Sequence, residues 1–322
     1  MSNTEPDPAE LLCGDRPGEG VTVLTPRDVP LGGPRAIRVR RTLPQRQRSL
    51  IGAWCFADHY GPQDVSESGG MDVAPHPHTG LQTASWLFSG EIEHRDSIGT
   101  RAMVRPGELN LMTGGHGIAH SEVSTSDTRM LHGVQLWIAL PGEHRDTARD
   151  FRHYAPPEVQ LSGATARVFL GTLAGTTSPV TAFTPLLGAE LIVDPGATLA
   201  LDVDPAFEHG VLQDIGSVTV AGTALATGEL AYLAPGAGRL ELANPGTEPA
   251  RVLLLGGPPF TEELVMWWNF VGRSHEEIAE YREAWQAQSG RFGRVEGYQG
   301  TTAWLPAPAL PRVRIKPRRN TP

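Results

Sequence analysis

Short apolar runs, several alternating with polar residues, succeed one another along most of the chain. VTVL begins at Val21, AIRVRRTL at Ala36, LQTASWLF at Leu81, GVQLWIAL at Gly133, ARVFLGTL at Ala166, TLALDV at Thr198 and RVLLLGG at Arg251. Glycine and proline punctuate these runs. Period-two alternation bounded by turn residues marks strands, and many short strands predict a barrel or sandwich, not an α/β fold. One helix stands out near the C-terminus. Ser274 can cap it with Glu277 three residues on, after which Ile278, Tyr281 and Trp285 share a face that predicts packing across a barrel.

A weak internal repeat suggests two barrels of one plan. GELNLMTGG from Gly107 and GELAYLAPG from Gly228 each follow a glycine-marked strand pair, SGEIEHRDSIG and IGSVTVAGTA respectively. The length of 322 residues suits two domains. Gly 37 and Pro 28 make up about a fifth of the chain against roughly 12% on average, as many tight turns would require. A net charge of -9 argues against direct binding to nucleic acid or to an anionic membrane. Cys13 and Cys55 are the only cysteines, so no disulfide framework is implied, and the acidic, proline-bearing start lacks the pattern of a signal peptide. No apolar stretch approaches the ~20 residues of a membrane span. A cytoplasmic protein is expected, with mobile ends over residues 1–20 and 306–322 and with the basic run Arg312, Arg314, Lys316, Arg318 and Arg319 in solvent.

The candidate chemistry lies in histidines. His76 and His78 are one residue apart in VAPHPHTG, and on an extended strand that spacing turns both imidazoles to one face. GGHGIAHSEVS repeats the geometry with His120 and Glu122. One His-x-His pair is commonly two surface or hydrogen-bonded histidines. Two such pairs in strands bordered by glycine can supply three nitrogens and a carboxylate oxygen to one ion and leave positions open for substrate or dioxygen. The remaining histidines, among them His94, His132 and His209, read as satisfied polar groups. Gly90, Gly107, Gly114, Gly115 and Gly117 read as turn formers, and Trp267, Trp268 and Phe270 as residues buried against a barrel.

HPHTGLQTASWLFSGEIEHRDS, PGELNLMTGGHGIAHSE, LHGVQLWIALP and FADHYGP together resemble the pirin family of the cupin superfamily, over about Val21 to Trp285. The resemblance implies an all-β bicupin, two stacked β-barrels of jelly-roll type with a C-terminal helix. Its expected divisions are 21–155 for a metal-binding barrel, 156–290 for a barrel without metal and 291–322 for a tail. It implies one divalent transition metal, Fe(II) foremost with Mn, Ni, Cu or Co as alternatives, held by His76, His78, His120 and Glu122. Where the wider cupin pattern has a glutamate four residues after the second histidine, this chain has Gln82, and Glu122 supplies the acid, as pirins do. Phe56, Met112 and Gln135 are expected to line the pocket by analogy, with His116 at its rim. Counting from the shared Gly-Glu-Leu, Glu241 and Ala243 take the places of His120 and Glu122 in the second barrel.

Some pirins cleave flavonols such as quercetin with loss of carbon monoxide. The resemblance therefore implies a small aromatic substrate and dioxygen, with Glu122 as ligand and as general base. Other pirins resemble iron- or redox-responsive partners of transcription factors, and a non-enzymatic regulator with a protein partner is the alternative.

Overall fold

The structure, a computed structural model, describes residues 20–30, 37–318 and 320. The N-terminal tail, Cys13 and Arg319 lie outside the described residues. The first domain pairs a seven-stranded antiparallel sheet with a four-stranded one. The larger runs in the order Asp150–Tyr154, Leu109–Thr113, Leu81–Ser89, Met130–Ala139, Trp54–Asp64, Arg38–Leu43 and Arg27–Pro30. The smaller runs Asp72–His78, Ile118–Ser124, Ile92–Asp96 and Arg101–Val104. The second domain repeats the plan, with a four-stranded sheet in the order Thr198–Asp202, Arg239–Ala243, Val218–Val220 and Thr223–Leu225. The Gly-Glu-Leu repeat is structural. Leu109–Thr113 and Leu230–Leu233 follow Gly107 and Gly228, whose φ angles of 72° and 82° are open to glycine at little cost.

One exchange crosses the expected division near residue 155. Thr22–Leu24 pairs with Leu230–Leu233, so the first described strand completes the second barrel's sheet, while Asp150–Tyr154 occupies the matching edge of the first. The two large sheets stack through their outer faces. Trp54, Trp86, Leu109, Leu111, Val134, Leu136 and Ile138 meet Phe169, Leu170, Leu212, Leu230, Leu253 and Leu255 in one buried cluster. Because side chains alternate along a strand, Met112, Gln135 and Trp137 face the first barrel's interior. Burial pushes the thiol of Cys55, the only described cysteine, up to about 12.

A polar clamp sits within this apolar interface. Asp214, from the second barrel, accepts His59 Nε2–H and His132 Nε2–H on Oδ1, both at 2.6 Å, and Arg251 Nε–H on Oδ2 at 2.6 Å. Burial alone would raise the Asp214 carboxyl, yet the His132 and His59 bonds hold it well below the usual carboxylate range. These three residues could also group around a metal. Hydrogen bonding argues against it, since Arg40 Nε–H donates to His59 Nδ1 at 3.0 Å and thereby fixes the proton on Nε2, where a metal would need the lone pair.

The helix His275–Gln286 forms as expected. Ser274 Oγ accepts the Glu277 N–H at 3.2 Å, and Ile278, Tyr281 and Trp285 are buried. They pack with Phe270, Phe292 and Ala119, so the helix backs the strand that carries His120. The expectation of a mobile segment over 306–318 is corrected. Leu305 N–H bonds Pro75 O at 2.8 Å, Ala307 N–H bonds Gln286 Oε1 at 2.8 Å, and Leu264 and Arg318 form a bridge. Arg314 pairs with Glu276, so the basic run is partly engaged by the chain itself. Trp304, Leu305 and Leu310 give this segment enough apolar surface to dock despite its prolines.

Asp214→Ala would strand Arg251 and remove the acceptor shared by two buried imidazoles. The expected cost is about 3–5 kcal/mol, read as a lower urea midpoint at unchanged slope. An unchanged midpoint would mean that the clamp contributes nothing to holding the barrels together.

Candidate metal centre

The strand Asp72–His78 is buried along its whole length and pairs with Ile118–Ser124, setting His76 opposite His120 and His78 opposite Ile118. A tight turn follows. Gly80, at φ 68°, bonds Gly115 O through its N–H, and a Cβ there would sit 2.3 Å from Val271 O. Gly115, at φ 50°, would place a Cβ 2.0 Å from Thr147 O. A side chain at Gly80 would displace the backbone at Val271, and one at Gly115 the backbone at Thr147, both packed against the turns that flank the histidine strands.

His76, His78 and His120 are buried, and one ring nitrogen from each lies within 4.8 Å of the others. His78 Nε2 and His120 Nε2 are 3.0 Å apart. His76 Nε2 is buried with no hydrogen-bond partner. The far nitrogens are occupied. His76 Nδ1 bonds its neighbour Ala74 O at 3.0 Å, His78 Nδ1 bonds Asn269 O at 3.2 Å, and His120 Nδ1 faces His94 Nδ1 at 3.4 Å. Burial, reinforced by neighbouring imidazoles, holds all three well below the ordinary histidine range. They are therefore neutral at pH 7 and carry lone pairs. An orphaned nitrogen facing two others, in a site without a counter-charge among them, fits a cation better than any internal hydrogen bond.

Glu122 joins from the same strand as His120, past a bulge between them. One of its oxygens lies within 4.8 Å of ring nitrogens of His120 and His94, and Ser85 Oγ reaches Oε1 at 3.4 Å. Ser85 in turn is 2.9 Å from Gln135 Oε1, while Gln135 Nε2 is buried and unpaired. Phe56 stacks on Trp137 at 4.0 Å, and Trp137 stands edge-on to His78 at 5.2 Å. Phe56 also lies under Arg41, which is fixed by two 2.7 Å bonds to Asp58. Met112 is buried beside Thr83. His116 stands apart from these, half-buried in the turn before Ile118. Its ring is held below the ordinary range by burial and by Arg149 and Arg291.

Three contributors escaped the sequence reading. His94, taken as an ordinary satisfied histidine, abuts His120, and its Nε2 is 3.2 Å from Asp96 Oδ2. Its spacing of two from Asp96 on a strand was the available signal, the same one that marked His76 and His78. Asn269 offers its carbonyl from the turn between Val265–Trp267 and Phe270–Gly272, 191 residues from His78, and no local pattern announces it. Ser85 is one hydroxyl among many.

The second barrel differs at the equivalent places. Leu199, Leu201, Leu240 and Leu242 are buried in its core, whereas Glu241 is exposed and Ala243 only half-buried. The count that set Glu241 and Ala243 against His120 and Glu122 is therefore one residue out. Counted from the shared Gly-Glu-Leu, the buried Leu240 and Leu242 stand one position earlier than His120 and Glu122, and a shift of one on a strand turns every side chain to the other face. A cavity of about 600 Å³ opens on this second barrel, lined by Leu170, Thr172, Phe183, Asp204 and Phe207 among others. No histidine or cysteine is among its lining residues.

Paired jelly-roll barrels, one of them with a buried histidine cluster that could hold a metal ion, define a bicupin. The Pirin family model matches residues 36–138 and the Pirin C-terminal cupin domain model residues 188–293. The chain is 47% identical over 317 residues, 97% of its length and 98% of the relative's, to a protein of Pseudomonas aeruginosa named "Putative quercetin 2,3-dioxygenase". It is 36% identical over 259 residues, 77% of its length and 88% of the relative's, to a pirin-like protein of Caulobacter vibrioides. The crystal structure of quercetin 2,3-dioxygenase from Acinetobacter baumannii superposes with a TM-score of 0.87 at 38% identity, covering 94% of this chain and 98% of that one. The chain belongs to the pirin family.

Acidification tests the buried imidazoles. Each stays neutral in the folded protein and takes a proton near pH 6.5 when unfolded, so stability present above that pH falls as pH drops through it and keeps falling toward the depressed folded values. Metal-free protein should melt at lower temperature at pH 5.5 than at pH 7.5. His76→Gln, with one titrating group fewer, should lose less over that interval.

Proposed function

We propose that the protein is a metal-dependent dioxygenase of flavonol-type substrates, with a single divalent transition metal held by His76, His78, His120 and Glu122. The observation that carries this reading is the convergence of three neutral, buried imidazoles with His76 Nε2 left unpartnered. The donor set suits Fe(II) and is compatible with Mn, Ni, Cu or Co. When bound, such an ion supplies Lewis acidity and an electron path between an organic substrate and dioxygen.

The protein's own groups would do the rest. Glu122 is the general base for the substrate's 3-hydroxyl proton, because a carboxylate can accept it within hydrogen-bond reach and remain anchored by Ser85. Gln135, with a free Nε2, is a donor for a substrate oxygen. Phe56, Trp137 and Met112 form an apolar wall on which an aromatic ring system can lie and from which water is excluded. His116, at the rim, is a candidate for orienting the exposed end of the substrate. The similarity to proteins bearing the quercetin 2,3-dioxygenase name supports this substrate class.

The test is anaerobic purification with metal analysis, followed by dioxygen uptake with quercetin. Wild type should take up dioxygen in proportion to its metal content. His76→Ala should lose bound metal, and Glu122→Ala should lower turnover by about 10²–10⁴-fold. Metal retained without uptake would favour the regulator, or a different substrate, over this activity; a wild-type protein that takes no metal under any loading would sink the reading altogether.

A further inference from the structure

We infer that His94 and Asp96 are positioning residues that set the tautomer of His120 and so aim its Nε2 lone pair at the metal. This inference rests on the metal-site reading above and adds to it a proton-direction relay. The strand Ile92–Asp96 pairs with Ile118–Ser124, setting Asp96 opposite His120 and His94 opposite Glu122. His94 Nε2 lies 3.2 Å from Asp96 Oδ2, and His94 Nδ1 lies 3.4 Å from His120 Nδ1. All three side chains are buried, and Phe151 packs over the His94 ring at 4.9 Å.

The direction of each bond follows from what its partners can do. An ionised carboxylate only accepts, so the His94 proton sits on Nε2. In the neutral imidazole His94 Nδ1 is then an acceptor, and the proton between the two rings must come from His120 Nδ1. His120 Nε2, on the opposite side of its ring and 3.0 Å from His78 Nε2, is left with its lone pair. Metal-binding histidines are commonly oriented by a carboxylate or carbonyl on the far nitrogen, and loss of such a partner weakens metal binding by about 10–100-fold. His76 and His78 have carbonyls in that place; His120 has a histidine and, behind it, an aspartate. Asp96 is itself locked, because its Oδ1 accepts the Ile98 and Thr100 N–H groups, both at 3.0 Å.

Asp96→Asn tests the relay without removing the turn. The asparagine Oδ1 can still accept from Ile98 and Thr100, but its amide nitrogen donates to His94 Nε2. His94 Nδ1 then carries the proton and donates to His120 Nδ1, and the last proton lands on His120 Nε2, where the metal needs a lone pair. The probe is Co(II), titrated anaerobically into metal-free full-length protein, with affinity from competition and geometry from the visible ligand-field spectrum. Asp96→Asn should bind Co(II) at least ~10-fold more weakly than wild type, with an altered spectrum and an unchanged melting temperature of the metal-free protein. His94→Ala should lose affinity comparably, and His94→Asn, whose amide oxygen can stand where Nδ1 accepts, should recover most of it. Wild-type affinity and spectrum in Asp96→Asn would overturn the relay while leaving the metal site standing. Equal losses in His94→Asn and His94→Ala would also overturn it, since His94 would then act as bulk or as a direct ligand. Failure of wild type itself to bind Co(II) would remove the site reading on which the relay depends.

Discussion

Three imidazoles are buried together inside one barrel, and every one of their six ring nitrogens must be accounted for. That constraint organises the surrounding structure. Each ring is neutral because burial disfavours its cation, and a neutral imidazole has one donor and one acceptor. The far nitrogens of His76 and His78 are taken up by the carbonyls of Ala74 and Asn269, and that of His120 by His94. What remains is a set of inward nitrogens facing one another, His76 Nε2 without any partner. Left unsatisfied, such a cluster would cost several kcal/mol of desolvation. A cation at its centre turns the same arrangement into a stabilising one.

The architecture supplies the rigidity that this demands. The histidine strands lie in the small sheet of the first barrel, face Trp137 and Ser85 on the inner side of its large sheet, and are backed by the helix His275–Gln286 through Ala119. Chain that follows the second barrel returns to the first. Val271 N–H bonds Thr79 O, Asn269 O takes the His78 proton, and Leu305 N–H bonds Pro75 O. The site of the first barrel is thus completed by residues distant in sequence, and the first described strand, Thr22–Leu24, completes the second barrel in turn. With Asp214 bridging His59, His132 and Arg251 at the interface, the two halves are interdependent.

Fold alone would not separate a catalyst from a regulator, because the same paired barrels can serve both. Beside the cluster, Glu122, Ser85 and Gln135 form a polar line next to the stacked rings of Phe56 and Trp137. The second barrel carries leucines at the corresponding inward positions and has no donors there. One barrel carries the buried histidine group, and the other buries leucines in the matching places.

The chain's own patterns determined the strand-rich class, the paired organisation, the capped helix and the alignment of His76 with His78 and of His120 with Glu122. These are local properties, set by side-chain alternation and turn chemistry over a few residues. The tertiary structure decided what local patterns do not encode. A register one position earlier in the second barrel turned Leu240 and Leu242 inward, where a count from the shared Gly-Glu-Leu had set Glu241 and Ala243. His94 became a neighbour of His120 through strand pairing, Asn269 reached His78 through a turn 191 residues away, and a proline-rich segment docked because its tryptophan and leucines found apolar partners. Such contacts depend on where strands and loops return in space, a consequence of the whole chain's burial of apolar surface.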